Sequence, residues 1–167
     1  HPKISELFKV EDESLYYSIL PTTTQFARNA MFAGLMPSEI EKIHPDLWRN
    51  EEDEGSKNQF EPELMSSQLK RWGKDIKHSY HKILNLNEGK KLADNISNLM
   101  QNKLNVIVYN FVDMLSHART EMEVIRELAN DEAAYRSLTV SWFEHSPLHD
   151  IIKSIAEKKG LLIITTD

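Results

Sequence analysis

The stretch SILPTTTQFARNAMFAG (residues 18–34) places three consecutive hydroxyls, Thr22, Thr23 and Thr24, between an apolar run and a helical pattern. Two carboxylates hold comparable places: Asp113 ends the run LNVIVYNFVD, and Asp167 ends LLIITTD. Hydroxyl and carboxylate oxygens are hard donors that suit a divalent cation. His117 follows Asp113 by four residues, so on a helix the two side chains share one face. A carboxylate and an imidazole, with no thiol, make a partial zinc set. A metal beside a Thr hydroxyl lowers its pKa and makes it a nucleophile for phosphoryl transfer. A helix starting just behind that Thr favours a phosphate.

Each of these residues also has a plainer reading. Thr at a helix start is commonly a cap. An Asp at a strand end is commonly a turn former or helix cap, and His117 alone would pass for a half-buried helix residue. Arg28, one turn after Thr24, could meet a substrate phosphate or the site's carboxylates, or form a surface salt bridge; Asn29 could donate to a phosphate oxygen or face solvent. His145 reads as a substrate or supporting group and His149 as structural, because Pro147 interrupts the helix that would align them. His78 and His81, three apart on a strand, face opposite sides. Trp48, Trp72 and Trp142 read as core or lid anchors.

The elements that must position these groups alternate. LYYSIL (residues 15–20), HSYHKIL (78–84), LNVIVYNFVD (104–113) and LLIITTD (161–167) read as strands. The third is apolar almost throughout, which implies burial on both faces in a parallel sheet. Helical patterns follow Pro21, open at PSEIEKI, cover PELMSSQLKRWG and NEGKKLADNISNLMQNK, span 121–130 and 132–143, and run from Pro147 to Lys159. Strand and helix alternation with long connections predicts an open α/β sheet with helices on both faces. Open sheets of this kind bind ligands at the carboxyl ends of their strands, where Thr22–Thr24, Asp113 and Asp167 would converge.

Composition narrows the classes. The 167 residues are enough for a domain with a real core, and 40% hydrophobic with 28% charged content reads as soluble and globular. No apolar run is long enough to cross a bilayer, and no signal peptide opens the sequence. The absence of cysteine excludes disulfides and thiolate metal sites and suits a cytoplasmic location. A net charge of −6 argues against a broad nucleic-acid-binding surface. The sequence begins at His1 without a methionine and stops directly after a β-rich run, so an excised piece of a longer protein is expected.

LPTTTQFARNAMFAGLMP resembles the nucleophile segment of PglZ-type domains of the alkaline phosphatase superfamily. NFVDMLSHAR is similar to that superfamily's Asp-x-x-x-His metal segment, and LLIITTD to the strand that ordinarily runs on as Asp-His-Gly. The resemblance covers essentially the whole chain, and the order of the three segments makes it specific. It implies an αβα sandwich with a mostly parallel sheet, two zinc ions and a phospho-threonine intermediate. On that pattern the nucleophile is Thr24, Asp113 and His117 are ligands of one zinc, and Asp167 and Thr24 contact the other. Arg28 matches a frequent arginine of the motif. Further zinc ligands would lie before His1 and after Asp167, so this segment alone is expected to be inactive. The implied reaction is hydrolysis of nucleotide or short oligonucleotide phosphodiesters. Alternatives are a metal-dependent phosphomonoesterase or phosphomutase, and a non-catalytic signalling module.

The resemblance extends to response regulators of type IX secretion. It therefore implies a receiver domain and helical linker upstream, and a sensor histidine kinase and a sigma factor as partners; a homodimer is a separate expectation that the resemblance does not supply. Residues 1–167 are expected to form part of one domain. Residues 45–72 are expected to form a lid or substrate-selecting insertion, because they interrupt the βα rhythm with a charged loop.

Overall fold

The computed structural model describes residues 2–167, the side chains of Pro2 and Val112 apart. Its elements begin with a short helix α1 (Pro2–Ser5), then α2 (Thr24–Ala33), α3 (Pro37–Ile43), a 3-10 turn (Pro45–Leu47) and α4 (Glu61–Arg71). Strand β1 (His78–Ile83), α5 (Leu86–Leu99) and β2 (Leu104–Tyr109) follow, then α6 (Phe111–Glu121), α7 (Glu123–Leu128), α8 (Glu132–Glu144) and α9 (Pro147–Glu157). The chain divides into two compact units: a helical unit, Val10–Lys77 with Ile163–Asp167, and a sheet unit, up to Lys9 with His78–Leu162.

In the sheet unit, β1 and β2 pair in parallel, His78 opposite Leu104 through Ile83 opposite Tyr109. Two parallel strands need a crossover between them, and α5 supplies it. Its start is fixed in both directions: the Asn85 side chain accepts from the Glu88 backbone N–H at 3.0 Å, and the Glu88 carboxylate accepts from the Leu84 N–H at 2.8 Å. Helix α5 then lays Leu92 and Ile96 against Ile83 of β1 and against Ile151 and Ile155 of α9. Each of these buried side chains contributes about 1.5–3 kcal/mol. Helix α9 opens on Ser146 as cap with Pro147 in its first turn, where a missing N–H costs nothing.

The helical unit is organised by α2. Ala27, Phe32 and Ala33 are its buried apolar residues, and the helix packs on α4, which buries Leu64, Met65 and Leu69. Gly34 ends α2 at φ 59°, a left-handed cap whose N–H returns to the Ala30 carbonyl at 2.8 Å. Arg71 of α4 donates to the Ala33 carbonyl at the same end.

The α/β class holds, with a sheet of two strands among the described residues. Four expectations need correction. Residues 15–20 form no strand: they have no ladder partner, and Leu15, Tyr17 and Leu20 are 101%, 102% and 86% exposed. Residues 161–167 likewise form no strand among the described residues, and Leu161, Ile163 and Ile164 are exposed. The strand at 104 ends at Tyr109, and Asp113 lies in the first turn of α6 rather than closing the strand. All six residues of β2 are half-buried, because each strand of a two-stranded sheet is an edge. Trp48 is a core residue and Trp142 stacks on Phe111, whereas Trp72 is 62% exposed.

Candidate active site

Proline and threonine at 21–23 bring the chain into α2, with Thr23 at the cap position in an extended conformation, φ −66° and ψ 143°. Its side chain makes no capping hydrogen bond, so the capping role that would explain a threonine there is not used. Thr24 is the first helical residue and is exposed. Helix α2 has no acidic side chain in its first turn, which leaves the positive end of its dipole open to an anion.

Beneath this exposed end runs a set of polar contacts from residues 57–61. Asn58 is 8% exposed, and its side-chain amide donates to the Thr24 carbonyl at 3.0 Å. The Lys57 carbonyl accepts from the Asn29 side-chain amide at 3.0 Å. Arg28 Nε donates to Glu61 Oε1 in an ion pair whose carboxylate side is 0% exposed. Further along, Gln25 donates to the Arg49 carbonyl at 2.7 Å, and the rings of Phe26 and Trp48 lie 5.8 Å apart. Arg28 therefore forms the salt bridge of its plainer reading, with a buried carboxylate as partner, and Asn29 is buried on a backbone carbonyl rather than facing solvent. Asn29 is 1% exposed, and its Oδ1 is a buried acceptor with no hydrogen-bond partner among the described residues.

An open groove in the same unit is walled by Tyr16, Ile19, Ala27, Met31, Glu39 and Asp167, among others. The Tyr16 hydroxyl lies 3.1 Å from Thr165 Oγ1, which links the two irregular segments. Asp167 is therefore placed along the flank of α2, and Thr24 is not part of that wall.

In the sheet unit, helix α6 carries both Asp113 and His117. Nε2 of the histidine lies 3.6 Å from Oδ1 of the aspartate, and both side chains are 69% exposed. The one-turn spacing thus brings the two groups together as read from sequence. Two donors on one zinc ion, each about 2.0–2.2 Å away at a tetrahedral angle, stand roughly 3.3–3.6 Å apart. The pair fits two positions of such a site in separation and donor chemistry. Among the described residues no three His, Cys, Asp or Glu side chains cluster closely enough to complete one. His145, just beyond α8, has its Nδ1 2.8 Å from the Ser141 carbonyl and is exposed; His149 packs edge-on to Phe143 at 5.4 Å.

Lys57, Asn58 and Glu61 escaped the reading from sequence. Their polar character resembles that of the solvated loop beside them, and nothing local marks Glu61 as buried.

The chain is a member of the PglZ family: residues 4–167 match the BREX system PglZ alkaline phosphatase-like domain. No curated protein matches the chain. No helix among the described residues is long and apolar enough to cross a membrane.

Proposed function

We propose that the chain carries the catalytic segment of a zinc-dependent phosphodiesterase acting on nucleotide or short oligonucleotide phosphodiesters. The observation that carries this is Thr24, exposed in the first turn of α2 and unpreceded by any side-chain cap, in a chain of the PglZ family. Thr24 Oγ1 attacks phosphorus in line, an ester P–O bond breaks, and the alcohol leaves with a proton. Water then hydrolyses the phospho-threonine and restores the hydroxyl. The open end of α2 stabilises charge on the phosphoryl oxygens. Asp113 and His117 would hold one zinc ion, and Asp167 and Thr24 would contact the other. Zinc at such donors supplies Lewis-acid stabilisation of charge on the attacking and leaving oxygens.

Arg28 and Asn29 act on the substrate side of α2 through the helix they stabilise. Residues 45–72 shape substrate selection from the contacts they make with α2. The larger setting is that of a cytoplasmic response regulator of the PorX type in type IX secretion. A receiver domain and linker would lie upstream, a sensor histidine kinase and sigma factor would be partners, and the protein would be a homodimer.

The test is hydrolysis of a chromogenic phosphodiester and its monoester by the protein containing this chain, with zinc, wild type beside Thr24→Ala. Diester turnover that the variant loses supports the reading. Preference for the monoester would make it a phosphomonoesterase. No turnover by either, with zinc bound, would favour a non-catalytic signalling module.

A further inference from the structure

We infer that Asn58 is a positioning residue for Thr24, holding the backbone of the nucleophile so that its hydroxyl keeps one place on the exposed end of α2. This rests on the reading of Thr24 as the nucleophile.

The first turn of a helix is where its backbone is least constrained, because its N–H groups lack intrahelical partners. Most helices compensate with a capping side chain, and α2 has none: Thr23 occupies the position without making the bond. The constraint comes instead from below. Asn58 donates to the Thr24 carbonyl, a group with two lone pairs that can serve both the helix and a second donor. Asn58 is nearly buried, so an amide that let go of this acceptor would be left without water to replace it.

The neighbouring contacts explain why this bond sets a position. Asn29 is tied to the Lys57 carbonyl and Arg28 to Glu61, so residues 57–61 grip α2 at its first residue and again a turn later. Two separated attachments fix both the height and the rotation of the first turn. The bond uses the Thr24 carbonyl and leaves its side chain exposed. A capping hydrogen bond in the usual sense would use the Thr23 hydroxyl, so neither kind of attachment engages the Thr24 side chain. Anchoring by the carbonyl therefore constrains the nucleophile without consuming the group that reacts.

The test uses Asn58→Ala and Asn58→Asp in the protein containing this chain, with zinc and a chromogenic phosphodiester. Asn58→Asp keeps the size and loses the donor. The expected result is a kcat lower by about tenfold to a hundredfold with KM within about twofold, since misplacement of a reacting group acts on the chemical step. The Thr24 carbonyl 13C resonance should shift in both variants while the core resonances of Ile40 and Leu64 stay in place. An unshifted Thr24 carbonyl, an unchanged kcat, or loss of folding in both variants would each overturn the proposal. An inactive wild type with zinc bound would remove the nucleophile reading itself. That outcome differs from an active wild type matched by active variants, which would remove only the role of Asn58.

Discussion

The ion pair between Arg28 and Glu61 should respond unequally to loss of its two members. The Glu61 side chain is 0% exposed and that of Arg28 is 13% exposed. Arg28→Met leaves a carboxylate enclosed without its guanidinium, and breaking a buried pair in that way costs about 3–5 kcal/mol. Glu61→Leu leaves a guanidinium on a long stem that already reaches solvent, so the cost falls to about 1–3 kcal/mol. The double variant Arg28→Met/Glu61→Leu removes both charges and fills the space with apolar atoms. It should lie within about 1 kcal/mol of wild type, since such replacements of buried pairs are often neutral or stabilising. For a chain of this size, each 1 kcal/mol moves the melting temperature by about 2–4 °C. Arg28→Met alone should therefore melt about 6–20 °C lower. Urea and thermal melts of the four proteins, followed by circular dichroism, give the comparison. A double variant as unstable as the sum of the singles, or a Glu61 variant worse than the Arg28 variant, would refute the reasoning.

Three further outcomes are expected. Burial holds the His81 imidazole below its ordinary pKa of 6.5. The unfolded chain then binds more protons in that range, so stability is full above pH 6.5 and falls as pH drops through the folded value. His81→Gln should flatten that part of the curve, and a wild-type histidine resonance titrating at or above 6.5 would contradict it. Gly34→Ala should cost about 1–2 kcal/mol by urea melt, because φ is 59° there and a Cβ would run into the Gln68 side chain. Asp113→Asn and His117→Ala should each lower zinc content measured by elemental analysis, with the far-ultraviolet spectrum unchanged, since both side chains are 69% exposed and carry no core packing. Full zinc occupancy in both would exclude the pair as ligands.

What could be read from sequence follows from how local each cause is. Helix α5, helix α9 and the pairing of Asp113 with His117 depend on spacings within a few residues, and the structure shows them as expected. Residues 15–20 and 161–167 have the composition of strands, but a strand exists only through a backbone partner, and composition does not supply one. The strand at 104 was read too long because Phe111 and Val112 are apolar whether they extend β2 or open α6. Arg28 and Asn29 were legible as residues on α2 but not as buried ones. Their burial depends on residues 57–61, some thirty positions away along the chain, folding back over that face. Thr24 was visible from the start as one of three hydroxyls. Its distinction from Thr22 and Thr23 comes from the family resemblance, and the structure adds that Thr24 is the residue that opens α2.

The register of β1 against β2 also bears on the order of events as the chain folds. Every cross-strand partner lies 26 residues downstream, from His78 and Leu104 to Ile83 and Tyr109. A hairpin can zip outward from its turn, but this ladder has no short-range first rung. Closing a loop of that length costs about 3 kcal/mol before any rung forms. A preformed α5 shortens the effective loop, and its reciprocal Asn85–Glu88 start can assemble from neighbouring residues alone. The sheet should therefore appear after α5 in time. Mutations that weaken that helix start would slow folding, whereas changes confined to the strand ends would chiefly speed unfolding.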